Sequence, residues 1–425
     1  MSAPPVYDAE GHYSQASTTS LPAYQRHDSA NAAITSTQHT FTLNDSKTKI
    51  RASLSLTSNA TAPESLPVFL EGNIVSGSLA GNIPWGQKVT RIVVLVRGEI
   101  WLGGPANDVN RSPHLQSDKL RFLNIVVTLW ERAHGAELIQ GEFKWPFSIP
   151  LPKEVLLNDP GEPKVQRKYS LPQTFLERGS PVTLHYSIMA RIVYKNMFRD
   201  VDAEIKTMFV YVPAIRPDPP SRLRQLAYRS NSSIPGPEID PAGWYLCMPI
   251  VVQGIVFNAR PIQLQCLLAL AEPLCYTRGG FIPCLLTYNC ADKQALDLLA
   301  TPSAISICLQ RRMTCAPFRT SSGHYPLAAN DVHECARATW SLAAPNYQRR
   351  DTRVFEGEIA VPKTLKPTSA LAQFTLDYYV VLQPPRATGF ASTGVSGPLL
   401  SQEVKIATIF PRGTRPRSNA PTSII

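Results

Sequence analysis

The residues whose types and spacing are best suited to a specific chemistry lie near the start of the chain, as Pro4-Pro5-Val6-Tyr7 and Leu21-Pro22-Ala23-Tyr24. The first is a PPxY sequence and the second its LPxY variant, and peptides of this kind dock into WW domains. A Pro pair pre-sets a polyproline II turn, so little entropy is lost when it lies in an aromatic groove. The Tyr two residues past the second Pro then fills a neighbouring pocket. Pro4 and Pro5 are expected to make the groove contact and Tyr7 the anchor. Leu21, Pro22 and Tyr24 repeat those roles less tightly, since Leu cannot fix φ as Pro does. Tyr7 and Tyr24 are 17 residues apart, and a flexible chain of that length averages roughly 20–25 Å end to end. Such a span suits two WW domains of one partner and raises avidity through effective concentration. Phosphate on either Tyr would not fit an apolar Tyr pocket.

Catalytic patterns are missing from the sequence. There is no GxSxG, GxGxxG, P-loop or HExxH. Asp200, Asp202 and Glu204 sit together, but as a turn and strand edge. Carboxylate pairs of glycosidases need no fixed sequence spacing, so a carbohydrate-active β-sandwich is the enzyme alternative. The expectation is a protein that is not an enzyme and carries no cofactor. All 8 Cys lie between Cys247 and Cys335, none in a CxxC pair, and His333 with Cys335 does not make a zinc site. Cys247, Cys266, Cys284 and Cys308 occupy apolar, strand-like runs, as buried reduced thiols do.

The net charge is +10, unevenly spread: residues 1–37 carry −2 and the remainder +12. Arg216, Arg222 and Arg224 form a candidate patch for anions or acidic membrane, with further basic residues at Arg229, at Arg311-Arg312 and at Arg412, Arg415 and Arg417. Arg229-Ser-Asn-Ser-Ser233-Ile-Pro235 fits a loose 14-3-3-type pattern, in which phosphate on Ser233 offers oxygens to an Arg-lined groove. Nucleic acid is not an expected partner, because no RNP-like aromatic motif, zinc-finger spacing or basic helix is present.

The elements that must position these groups are strands. With 38 Pro in 425 residues, long helices are disfavoured. Residues 1–37 are rich in Ser, Thr, Ala and Gln and are expected to be a disordered tail. From residue 38 the period is two. Val89–Trp101 is apolar on both faces like a central strand, and Val182 to Tyr194 alternates without a break, leaving His185 on the polar face. Residues 214–242, which follow Pro213 and open with Ala214-Ile-Arg-Pro217-Asp-Pro219-Pro220, read as a Pro-rich linker. A second strand set fills 243–411, with Asp292–Leu299 as one short helix, and a basic disordered tail occupies 412–425. The fold class is therefore all-β, two tandem antiparallel β-sandwiches over 38–213 and 243–411. The N-terminus lacks the pattern of a signal peptide, and no unbroken apolar run approaches a membrane span of about 20 residues. Leu246–Phe257 comes nearest, interrupted by Pro249, Gln253 and Gly254.

Several stretches, in order, resemble the arrestin-related proteins, in particular the fungal α-arrestins. Val68-Phe69-Leu70-Glu71-Gly72 to Ser76-Gly77-Ser78-Leu79 resembles that family's early strand pair with paired glycines. Ile92–Gly98 resembles its strand ending in Arg-Gly. Phe143-Lys-Trp-Pro-Phe147-Ser-Ile149-Pro-Leu151-Pro152 is similar to its aromatic-to-Pro motif. Leu171-Pro172-Gln-Thr-Phe175 with Val182–Tyr194 is similar to its Leu-Pro-x-Ser/Thr-Phe stretch and following strand. Cys290–Arg312 is the weaker counterpart in the second half. The resemblance implies two arrestin-like sandwiches with concave faces that hold cargo tails. It also implies an adaptor that recruits a WW-domain HECT ubiquitin ligase to plasma-membrane transporters or receptors for ubiquitination, endocytosis and sorting. The implied location is cytoplasmic, peripheral to plasma membrane and endosomes. The family often carries PPxY after the second domain; here it precedes the first. The alternative is a ligase-independent trafficking or signalling scaffold that binds cargo tails or acidic membrane.

Overall fold

The computed structural model describes residues 36–43, 50–103, 118–133, 137–162, 164–196, 199–318, 328–394 and 397–418. The first half comprises β1 (Thr37–Thr42), β2 (Arg51–Ser58), β3 (Val68–Leu70), β4 (Ile74–Ile83), β5 (Lys88–Leu102), β6 (Asp118–Glu131), β7 (Gly141–Pro150), β8 (Glu154–Asn158), β9 (Gln166–Ser170), β10 (Val182–Asn196) and β11 (Arg199–Val212). A helix, α1 (Arg222–Ser230), follows. The second half comprises β12 (Trp244–Leu246), β13 (Ile250–Val256), β14 (Arg260–Ala271), β15 (Cys275–Thr277), β16 (Phe281–Asn289), α2 (Lys293–Leu299), β17 (Ile307–Cys315), β18 (Ala329–Leu342), β19 (Thr352–Ala360), β20 (Ser369–Leu371), β21 (Phe374–Leu382), β22 (Phe390–Ser392) and β23 (Leu400–Ala407). Alternating strands with a single inward face build an all-β sandwich fold, as the period-two pattern requires.

The two halves share one strand order. In the first, the sheets run β1-β2-β4-β7 and β3-β11-β10-β5-β6. In the second, β13-β14-β16-β19 and β15-β23-β21-β17-β18 repeat those orders position for position. One difference joins the second pair of sheets. β18 pairs with β17 through Ala329–Arg337 and then with β19 through Ala338–Leu342, so one strand passes from one layer into the other. Each half adds one short parallel pair to its antiparallel strands. β3 pairs parallel with β11, and β15 parallel with β23. In each half a left-handed residue, Gly72 (φ +86°) or Gly279 (φ +79°), turns the chain directly after that short strand.

The repeat extends to individual hydrogen bonds. Tyr186 on β10 donates its hydroxyl to the Pro172 carbonyl at 2.7 Å, and Tyr378 on β21 donates to the Lys366 carbonyl at 2.6 Å. Two residues beyond each carbonyl stands a Thr. Thr174 Oγ1 accepts the Tyr211 N–H, and Thr368 Oγ1 accepts the Ile406 N–H, both at 2.9 Å. Each threonine N–H returns a bond to the same strand residue's carbonyl. A four-residue loop, Leu171-Pro172-Gln173-Thr174 or Leu365-Lys366-Pro367-Thr368, thus closes the end of each sandwich and satisfies backbone groups that would otherwise be buried without partners.

These two loops also meet each other. Arg278 Nη1 donates to Gln173 Oε1 at 3.0 Å and to the Leu365 carbonyl at 3.2 Å, touching both copies. Arg311 Nη1 lies 2.8 Å from both Glu177 carboxylate oxygens while Nη2 reaches Asp331 at 3.2 Å. Its guanidinium stands 5.7 Å from the Phe175 ring centroid, and Phe175 in turn meets Phe374 at 6.0 Å. Beyond β11 and β23 the chain ends pair. Thr408 Oγ1 donates to the Pro213 carbonyl at 2.6 Å and accepts the Ile215 N–H at 2.9 Å.

His185, expected on a polar face, is 7 % exposed, with its ring edge-on to Trp101 and Nε2 3.8 Å from the Glu99 carboxylate. Burial pulls its pKa below the ordinary 6.5, Glu99 opposes the shift and Lys206 adds to it. A histidine depressed on folding binds its proton more readily in the unfolded chain. Stability is therefore full above the unfolded value and falls as pH drops below it. Stability measured by urea denaturation is expected to fall between about pH 7 and pH 5.5, less steeply in His185→Gln. Equal slopes would remove His185 as the cause. The repeated tyrosine bond gives a second expectation. Tyr186→Phe and Tyr378→Phe should each cost about 1–2 kcal/mol in the same assay, because each leaves a loop carbonyl without its donor.

Candidate functional site

The linker contains the helix that the sequence pattern did not announce. Ser221 caps α1 by accepting the Arg224 N–H at 3.1 Å, after Pro219-Pro220 has ended any extended run. Asn231 ends it in the left-handed region at φ 53°. The buried stripe is Arg224, Ala227 and Tyr228, a helical spacing headed by a charged residue, while Leu223 and Leu226 face outward.

Arg224 requires a correction. It was grouped with Arg216 and Arg222 as an anion or membrane patch, but it is 1 % exposed. Nη1 donates to the Glu272 carbonyl at 2.8 Å, Nη2 to the Gly243 carbonyl, and the guanidinium stacks 4.9 Å from the Trp244 ring centroid. Burial pulls its pKa down while Tyr228, Tyr276, Asp240 and Glu272 act against that pull. Both terminal nitrogens are engaged inside the protein, and Nε is buried without a partner among the described residues, so burial keeps solvent anions from all three. Arg216 is exposed, yet its Nη1 donates to the Phe410 carbonyl at 2.5 Å. Arg222 is exposed on the first turn of α1.

Beyond α1 the chain forms a strap, residues 233–239. Its anchor is the Trp244 indole N–H, donated to the Pro235 carbonyl at 2.8 Å. The strap spans the outer face of the β14-β16-β19-β18 sheet and encloses a cleft of about 590 Å³. Cross-strand pairing aligns its floor. One row reads Leu246, Ala269, Leu285, Glu356, Ser341 across five strands; the next reads Leu267, Thr287, Val354. Ile234 and Ile239 of the strap face the same space. This volume and apolar lining match the dimensions of sites that take ligands. Shielding by the walls raises the pKa of Glu356.

The candidate 14-3-3 residues meet at this place. Ser233 is exposed at the mouth of the cleft, Pro235 holds Trp244, and Arg229 Nε donates to Thr414 Oγ1 at 3.0 Å. Arg229 lies in the last turn of α1, so an extended Arg229–Pro235 ligand requires that turn to unwind. Pro4, Pro5, Tyr7, Leu21, Pro22 and Tyr24 lie outside the described residues. The cleft residues Leu246, Leu267, Leu285 and Val354 were not singled out from sequence. Their signal was the run Cys266-Leu267-Leu268-Ala269-Leu270-Ala271, apolar on both faces of one strand, which means that something covers the outer face as well. Among the described residues no helix is long and apolar enough to cross a membrane. No protein-family model matches the chain, and no curated protein matches it.

The two arginines separate cleanly by experiment. Arg224→Ala should lower stability in urea by about 2–4 kcal/mol, since the Glu272 carbonyl loses this donor, the Gly243 carbonyl keeps only the Glu272 N–H, and Trp244 loses its partner, whereas Arg222→Ala should stay within about 0.5 kcal/mol. Similar losses in both would return Arg224 to the surface patch.

Proposed function

We propose that the chain is an arrestin-related adaptor. Its Pro-Tyr motifs bind a WW-domain HECT ubiquitin ligase, and its double sandwich holds the tails of plasma-membrane transporters or receptors destined for ubiquitination, endocytosis and sorting. The observation that carries the reading is the body itself. Two sandwiches of one strand order are joined through matched loops, and on the second lies an apolar cleft of peptide-accepting dimensions. Such a body supports a binding role, in keeping with the stretches that resemble the α-arrestins. The Pro-Tyr motifs give the partner to be delivered; the body gives the target. The scaffold alternative, which holds acidic membrane through Arg216, Arg222 and Arg224, gains no support, because Arg224 is interior and only the other two are exposed. Work at the cytoplasmic side of plasma membrane and endosomes follows from this reading.

The decisive measurement is binding of the 1–37 peptide to tandem WW domains. Tyr7→Ala combined with Tyr24→Ala is expected to weaken binding by at least about tenfold, with the greater single loss at Tyr7, because an anchor side chain and its pocket carry most of such an interface. Equal binding by wild type and double variant would overturn the ligase reading.

A further inference from the structure

We propose that the cleft under the strap is the seat of the chain's own segment Asn419–Ile425, which docks there through its apolar side chains. The path of the preceding residues points to it. After β23 the chain turns back along α1. Arg415 stacks 5.2 Å from the Phe410 ring centroid, Thr414 takes the Arg229 donor, and Arg417 Nη1 reaches the Asn231 side chain at 3.5 Å. Ser418 then donates its hydroxyl to the Glu358 carboxylate, and Glu358 is part of the cleft wall. Residue 419 therefore begins at the rim of the cleft.

The chemistry of the segment fits what it meets there. Asn419-Ala-Pro-Thr-Ser-Ile-Ile425 carries no charged side chain and ends in two large apolar residues. The floor offers Leu246, Leu267, Leu285 and Val354, and the strap adds Ile234 and Ile239. An outer sheet face of this composition, left to water, forgoes the gain from burying it. The six residue steps from Ser418 to Ile424 reach about 20 Å when extended, enough to carry an isoleucine across the floor. A tether this short sets an effective concentration in the millimolar range, so an untethered peptide of similar apolar content is outcompeted. The occupant is thus intramolecular, and any external peptide must displace it. This inference does not rest on the adaptor reading, and the tail-peptide measurement is blind to it.

The test uses the full chain and a fluorescein-labelled Asn419–Ile425 peptide, with binding read by anisotropy. Wild type is expected to bind the peptide at least about tenfold more weakly than Ile424→Asp with Ile425→Asp, whose cleft is vacated. Adding Leu285→Asp to that double variant should abolish binding. If Leu285→Asp disturbs folding by circular dichroism, Thr287→Arg, on the same floor and likewise half-buried, replaces it with the same expectation. Hydrogen exchange gives the second readout: amides of residues 233–239 should exchange faster in the Ile424→Asp, Ile425→Asp chain than in wild type. Four results overturn the proposal: equal peptide affinity for wild type and double variant; no binding to the double variant; binding that survives the floor substitution; or unchanged exchange in the strap. Equal affinity would instead mark the cleft as open to an external peptide.

Discussion

The arrangement around the cleft depends on a guanidinium placed where water cannot reach it. A buried arginine is costly unless its donors are occupied, and removing its partners costs more than the pair itself contributes. Arg224 meets that condition at Nη1 and Nη2 with two backbone carbonyls, Glu272 and Gly243, and lies against an indole face, while its buried Nε has no partner among the described residues. Those carbonyls sit at the start of β12 and at the end of β14, so one side chain ties the linker helix to the sheet that forms the cleft floor. Trp244 then does two jobs: its ring receives the guanidinium and its N–H holds the strap at Pro235. Ser221 joins the same knot by capping α1 and donating to Asp240. The linker is consequently a wall of the second half rather than a spacer between two bodies.

The contact between halves follows a different logic. Each sandwich ends in a loop whose threonine and following strand exchange hydrogen bonds, and a buried tyrosine holds that loop by one carbonyl. Because the loops are copies, one cation can serve both, and Arg278 does so. Arg311 adds a charge-assisted contact in which Nη1 is shared by both Glu177 carboxylate oxygens while Nη2 reaches Asp331, and it is stronger than an exposed pair because the guanidinium is largely withdrawn from water. These directional contacts flank an apolar one, the buried Phe175–Phe374 pair, and the buried residues of the two halves form one continuous hydrophobic cluster. The polar contacts fix the register of one half on the other, and the apolar ones add burial.

What was legible in the sequence was whatever obeyed a period. Phe374, Leu376, Tyr378, Val380 and Leu382 alternate and lie buried on β21, with Thr375, Asp377 and Tyr379 half-buried between them and Val381 buried as well. Asp292 before an apolar stretch signalled α2, and it caps that helix by accepting the Ala295 N–H at 3.0 Å. Helix α1 was hidden because its inward stripe begins with Arg and its leucines point to water, the reverse of an amphipathic pattern. The same inversion placed Arg224 in a surface patch. The parallel pairs and the crossing of β18 are long-range choices that leave no local mark. The repeat was half visible: Leu171-Pro172-Gln-Thr174-Phe175 stood out, whereas Leu365-Lys366-Pro367-Thr368 did not, because its backbone role survives with only Leu and Thr in common.

The cleft draws these strands of argument together. Its floor belongs to a rigid sheet, where a glycine is obligatory at Gly357 because the Trp340 ring occupies the place of a Cβ. Its far wall is a strap held by one indole bond, with Ser233 and Ile239 exposed and open space around Gly236. Local opening draws on the segments with the fewest buried contacts, so the strap yields before α1 or the sheet does. Pro235 and Pro237 limit how it yields, since each fixes φ and confines movement to the residues between and beside them. Access to the apolar floor is thereby separated from the stability of the body. Breaking the Trp244–Pro235 bond exposes the floor, while Arg224 keeps α1 and the sheet in place.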